Sequence, residues 1–350
     1  ALGLLLRREG AEVPETLAVP WIEDGERIYA ARYFAQEASL AAALVRIASQ
    51  TPEKPSDAVL SEMRRLTDAI HADEHQAGAV LKALEENLAV ICGGPGTGKT
   101  TSVVLMLECL LAEKPNLRIY LAAPTGKATS RMAQSIQESV ASDRLVRLLP
   151  RMGAVLAGKS DAVVEGRTLH KWLVTKTASG ERPSKTNPLP CDVLVIDEAS
   201  MVDIHLAARL FEAVSPKTRV IVLGDKFQLA AVGPGAVFAD ISSSTGALAR
   251  HVAELKTSRR FKEKTVIWSL ARAVNHEGVA AKDAPDDVVR LLRANLTEAL
   301  PEGDIRPAVW FDEAPQPDTG LSSAALEWLD RESRPYLEAL AAYVETERRP

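Results

Sequence analysis

Four side chains in this sequence have the types and the spacing to act on a phosphate chain. Lys99 and Thr100 close the run Gly93-x4-Gly98-Lys99-Thr100, and Asp197 and Glu198 stand side by side further along. A glycine-rich loop lets successive backbone N–H groups turn inward around phosphate oxygens. The helix opening at Lys99 adds the partial positive charge of its N-terminus. Lys99 is then placed to neutralise β- and γ-phosphates, and the Thr100 hydroxyl to hold Mg²⁺. The whole cradle reads Gly93, Gly94, Pro95, Gly96, Thr97, Gly98, Lys99, Thr100, Thr101. Asp197 would hold Mg²⁺ through its water shell, and Glu198 would polarise the attacking water as general base. The structural alternative for that pair is a helix N-cap followed by a first-turn acid. A phosphate loop upstream favours the chemical reading, which is binding and hydrolysis of a nucleoside triphosphate.

These groups meet only if buried strands deliver them to one crevice. Apolar runs at residues 88–91, 117–123, 191–196 and 219–223 read as four such strands. In open α/β sheets the ligand loops lie at the carboxyl ends of the strands. The first strand feeds the phosphate loop and the third ends in Asp197-Glu198. The second ends in Thr125-Gly126-Lys127, small polar and basic residues that suit a nucleic-acid phosphate, or else a plain turn. After the fourth, Gln228 is placed to sense the γ-phosphate. Gln76 precedes the first strand; its planar amide can pair with the adenine N6 and N7 edge, or it is an ordinary surface glutamine. Thr168, His170, Lys171 and Trp172 lead into a basic Gly/Pro/Ser-rich loop at 177–190. A lone histidine is usually structural, but a basic and aromatic cluster is one way to hold a single strand.

The 350 residues suggest two domains or so, with apolar and charged fractions of 46% and 25% that are ordinary for a globular protein. Cys92, Cys109 and Cys191 fit neither a disulfide framework nor a zinc site, so reduced thiols in a cytoplasmic setting are expected. No apolar run reaches membrane-spanning length. Charge is uneven: residues 111–190 carry 13 Lys/Arg against 6 Asp/Glu, and residues 301–350 carry 5 against 11. The basic middle suits a polyanion track or simply a solvated face. Residues 1–56 read as a small, mostly helical lead-in with Tyr29, Tyr33 and Phe34 packed together, and 51–57 as a linker. A change of composition near residue 242 marks a second region, with a helix at 266–274 and an acidic, Pro-rich tail. The start without Met and the end at Pro350 read as those of a fragment.

In order along the chain, GGPGTGKTT, AAPTGKA, TLHKWL, NPLPCDVLVIDEASMVD, VIVLGDKFQLAAVGPGAVFAD and SRRF resemble the RecD family. These are superfamily 1 DNA helicases that include the alpha subunit of exodeoxyribonuclease V. The likeness runs from about Asp73 to Asn275, and more loosely into GERIYAARYFAQE. It implies an α/β fold: a RecA-like motor domain at 57–245, a partner-contacting region at 1–56 and part of a second RecA-like domain at 246–350. It implies ATP, Mg²⁺, single-stranded DNA translocated in the 5′→3′ sense, and partner subunits resembling RecB and RecC. By residue, it implies adenine recognition at Gln76 and phosphate and Mg²⁺ contacts at Gly96, Gly98, Lys99, Thr100, Asp197 and Glu198. It further implies γ-phosphate coupling at Gln228, an arginine finger at Arg260 or its neighbour Arg259, and DNA contact at Thr125, Lys127, Thr168 and His170. The family's late motif, resembling VALTRAR, has no counterpart after Phe261. The alternative is therefore a nucleotide-binding interaction subunit whose motor is incomplete.

Overall fold

The computed structural model describes residues 6–8, 20–24, 26–142, 145–228, 231–258 and 322–347. The chain divides into two compact units, 1–260 and 261–350. In the first, strands β1 (Leu6–Arg8), β2 (Trp21–Asp24) and β3 (Arg27–Ala30) form a small sheet, with β2 and β3 antiparallel. Helices α1 (Ala31–Ala48), α2 (Asp57–Ala69) and α3 (Glu74–Glu85) follow. The main sheet then alternates with helices: β4 (Leu88–Gly93), α4 (Lys99–Glu113), β5 (Arg118–Ala123), α5 (Gly126–Ala141) and α6 (Pro150–Leu156). It continues through β6 (Val163–Thr168), α7 (Leu169–Val174), β7 (Val193–Ile196), α8 (Ile204–Glu212), β8 (Arg219–Gly224), α9 (Val237–Ile241) and β9 (Val252–Leu255).

The six strands lie in the order β6-β5-β7-β8-β4-β9, every pairing parallel. Parallel strands need crossovers, and the crossover helices cover both faces of the sheet. That is why β4 and β7 are buried at every position and read as continuous apolar runs. One face packs Leu66, Val80, Leu107 and Ile136 from α2, α3, α4 and α5 against Ile91, Leu121 and Val195. The other packs Leu44 and Ile47 of α1, Trp172 of α7 and Phe211 of α8 against Val90, Ile196 and Val222. This is the RecA-like phosphate-loop architecture, with four of its strands where apolar runs predict them.

Two strands have no such run. The β6 segment VVEGRT is an edge strand exposed in part, and among the described strands the β9 segment VAEL pairs only with β4. The lead-in carries the expected helix as α1, but Ile28 and Tyr29, read at helical spacing, lie instead in a strand, paired antiparallel with Glu23 and Ile22. Its helix α1 is integral to the sheet's core: the Arg46 guanidinium donates to the Phe211 and Val214 carbonyls at 3.0 and 2.9 Å, where α8 ends. The expected linker carries the Ser56 N-cap of α2, whose hydroxyl accepts from the Val59 N–H.

In the second unit the described element is α10 (Ser323–Glu347), which contains Pro335. Arg334 pairs with Asp330 one turn earlier. The expected helix at 266–274, Arg259 and Arg260 lie outside the described residues. No helix among those described is long and apolar enough to cross a membrane.

Candidate functional site

The last residues of β4 and the first of α4 are joined by a loop that only glycines allow. Gly96 and Gly98 have φ of +76° and +87°, in the left-handed region where a Cβ is strained. The turn is held from within: the Thr97 hydroxyl donates to the Gly94 carbonyl at 2.9 Å. Lys99 Nζ donates to the carbonyls of Gly93 and Gly94 at 2.5 and 3.1 Å, so the ammonium already sits in the concavity of the loop.

A cleft of about 540 Å³ opens beside this loop, lined by residues 94–101 and by Asp197, Glu198 and Gln228. The neighbouring strands bring these groups together. Asp197 leaves the end of β7 with its N–H donating to the Ala122 carbonyl of β5. Its carboxylate accepts the Glu198 N–H at 2.9 Å. Glu198 has a φ of +52°, uncommon for a residue with a long side chain and a frequent mark of functional sites. Gln228 follows β8, and its Oε1 accepts from the Ser200 hydroxyl at 3.3 Å. Burial pushes the Asp197 carboxyl above the ordinary aspartate range. Glu198 is raised as well, by burial first and by the Asp197 charge second. The cations of Lys99 and Arg131 pull both back down.

Gln76 is placed beneath the loop. It is only 2% exposed, and its amide Nε2 donates to the Thr97 carbonyl at 3.2 Å. Its backbone N–H is capped by the Asp73 carboxylate at 2.8 Å. The side chain braces the cradle and is not among the residues lining the cleft.

Thr125, Lys127, Thr168 and His170 form a separate group at the carboxyl ends of β5 and β6, which are paired through Ala123 and Thr168. Thr125 caps α5 and Thr168 caps α7, each hydroxyl accepting an N–H at 3.2 Å. Each keeps its own O–H to donate. Thr125, Lys127 and His170 are exposed.

Several cleft residues went unread in the sequence. Ala128, Arg131, Met132 and Ser135 of α5 form its second wall. Their i, i+3, i+4, i+7 spacing is one helix face, a signal present in the sequence without an indication of what the face meets. Asp225, only 4% exposed, accepts the Phe227 N–H at 3.0 Å and shapes the turn that carries Gln228.

The AAA domain family matches residues 76–234. The RecBCD enzyme subunit RecD of Mycolicibacterium smegmatis is 40% identical over 257 residues, 71% of this chain and 43% of that protein. The subunit of the same name from Mycobacterium tuberculosis is 38% identical over 303 residues, 84% of this chain and 47% of that one. An ATP-dependent RecD2 DNA helicase of Deinococcus radiodurans is 30% identical over 236 residues, 67% of this chain and 27% of its own length. The chain spans about half the length of the curated RecD relatives it matches. With the phosphate loop, the strand-end carboxylates and the Gln228 turn gathered on one parallel sheet, this chain is RecD-like, of the superfamily 1 helicases.

Proposed function

We propose that the chain carries the ATP-driven motor of a RecD-type DNA helicase, coupling ATP hydrolysis to 5′→3′ movement along single-stranded DNA. The observation that carries this reading is the single cleft shared by Lys99, Thr100, Asp197, Glu198 and Gln228. Each has a defined task there. Lys99 and the loop N–H groups bind and orient the β- and γ-phosphates. Glu198 accepts a proton from the attacking water, a role suited by a carboxyl raised toward neutrality. Gln228, tied to Ser200 beside the acidic pair, reports the state of the γ-phosphate to the rest of the unit.

Thr100 and Asp197 supply hard oxygen donors on the same cleft, and a cation would relieve the desolvation that raises Asp197. The residues therefore fit Mg²⁺, which when bound would neutralise phosphate charge. DNA would run over Thr125, Lys127, Thr168 and His170, whose side chains share one end of β5 and β6. Adenine recognition at Gln76 would require its buried amide to turn away from Thr97. Arg260, or Arg259, would supply the arginine finger.

We assign the motor to residues 57–245 together with β9, which completes its sheet beside β4, a partner-contacting region to 1–56 and part of a second RecA-like domain to the residues after β9, later than the expected boundary at 246. The similarity to RecBCD subunits supports partners resembling RecB and RecC, in a recombination and repair exonuclease of the cytoplasm. Trp21, Ile28 and Val45 are exposed apolar side chains of the lead-in, available to such a partner.

Steady-state ATP hydrolysis with and without oligo-dT, beside Lys99→Ala, tests the reading. Stimulation by DNA that vanishes in the variant is the expected result. Mg-ATP binding without turnover would restrict the chain to a nucleotide-binding unit, and no ATP binding at all would overturn the assignment.

A further inference from the structure

The cleft contains a cation that the mechanism above leaves unused. Arg131 stands on the α5 wall, one helix face with Ala128, Met132 and Ser135, across from the phosphate loop and the Asp197-Glu198 pair. It is exposed, and makes no hydrogen bond or ion pair among the described residues. Its charge reaches both carboxyls, yet it pairs with neither. Asp197 spends an acceptor on the Glu198 N–H instead. A guanidinium held beside two acids and bonded to none is left for an anion that enters between them.

We propose that Arg131 binds the terminal phosphate of the bound triphosphate, as an arginine supplied by the same unit that carries the phosphate loop. This rests on the nucleotide reading given above. Two features select the terminal phosphate over the rest of the nucleotide. Arg131 lines the cleft with Asp197 and Glu198, which belong at the end where the phosphoryl bond breaks. The planar guanidinium fork also matches the paired oxygens of a terminal phosphate better than a bridging one. The contact would tie the nucleotide to α5, the helix that opens with Gly126 and Lys127 after the Thr125 cap. One rigid element would then touch the terminal phosphate along its face and the proposed DNA path at its start.

Titration of the full 350-residue chain with Mg-ATP and with Mg-ADP tests this, using Arg131→Ala, Arg131→Lys and Lys99→Ala. Loss of a charge-assisted contact made only to the terminal phosphate should weaken Mg-ATP binding by about ten- to a hundredfold in Arg131→Ala. Mg-ADP binding should stay within about twofold, well under the tenfold that 1.4 kcal/mol represents. Arg131→Lys, keeping charge without the fork, should fall between. Lys99→Ala should weaken both nucleotides. Unchanged Mg-ATP affinity in Arg131→Ala, or equal loss for ATP and ADP, overturns the proposal. Failure of the unsubstituted chain to bind Mg-ATP overturns the nucleotide reading itself, and this proposal with it.

Discussion

The Gln76 amide occupies the space that a side chain on Gly98 would need: a Cβ built there lies 2.1 Å from Nε2. The two residues are far apart in sequence, and the contact locks the base of the phosphate loop to α3. The φ of +87° at Gly98 adds a second, independent demand for glycine.

Gly98→Ala should therefore weaken Mg-ATP binding by more than tenfold, through both the clash and a left-handed strain of about 1–2 kcal/mol. The double variant Gln76→Ala with Gly98→Ala removes the clash and leaves the strain. Measured against Gln76→Ala alone, Gly98→Ala should then cost less affinity than it does against the unsubstituted chain. No cost would mean that the backbone tolerates alanine and only Gln76 forbids it. An equal cost would mean that the strain dominates. Calorimetric titration of the four proteins separates these cases.

As the proposed general base, Glu198 should set the acid limit of the reaction. The active form of a general base is the deprotonated one, so turnover falls as pH drops through its folded pKa. Burial and the neighbouring Asp197 raise that pKa above the ordinary glutamate value of about 4.3. The acid limb of kcat should accordingly lie above that value, and Glu198→Gln should remove it while lowering kcat by about 10²–10⁴-fold. Mg-ATP binding should survive the substitution. A Glu198→Gln protein that keeps the wild-type acid limb would assign the proton transfer elsewhere.

Much of this is legible in the sequence alone, for a physical reason. The phosphate loop is a local device: the glycines, Lys99 and Thr100 are contiguous, so their geometry needs no distant partner. The strands at 88–93, 118–123, 193–196 and 219–224 are buried on both faces, which leaves an unbroken apolar run. The edge strand β6 is half solvated and carries Glu165 and Arg167, so it has no such run. The bracing by Gln76 and the outlook of Arg131 depend on how α3 and α5 dock on the sheet. Neighbouring residues in the sequence say nothing of that docking.

Glu108 makes a stability prediction independent of the nucleotide. It lies fully buried on α4 and accepts from the N–H groups of Arg151 and Met152 at 3.1 and 2.8 Å, with the Arg151 guanidinium at 3.0 Å. It thus serves as the missing cap of α6, whose own preceding residue, Leu149, offers no side-chain acceptor. Glu108→Ala would orphan the two backbone donors, while the Arg151 guanidinium keeps Glu62 at 3.2 Å, and should cost about 2–4 kcal/mol. Glu108→Gln keeps an acceptor for one or two of them and should cost less. The midpoints of urea denaturation, followed by far-ultraviolet circular dichroism, would rank the two variants, and midpoints equal to that of the unsubstituted chain would show that the charge and its bonds contribute nothing.

His251 gives the same unit a pH dependence of opposite origin. Its ring is 2% exposed, Nε2 accepts from Arg250 Nε at 2.9 Å, and Nδ1 faces the Glu86 carboxylate at 3.2 Å. Burial lowers its pKa; the Glu86 charge opposes this, and Arg250 and Lys82 reinforce it. The folded state therefore holds its proton less tightly than the unfolded chain, where histidine titrates near 6.5. Below about that pH the unfolded state binds the extra proton first, so stability falls with falling pH until the folded pKa is passed. The melting temperature should drop as the pH falls below about 6.5, where the unfolded histidine takes up its proton, and level off once the lowered folded pKa is passed. In His251→Gln, which keeps an acceptor toward Arg250 and cannot titrate, the slope over that interval should flatten. An unchanged slope would place the acid sensitivity in other groups and leave His251 as packing between α3 and β9.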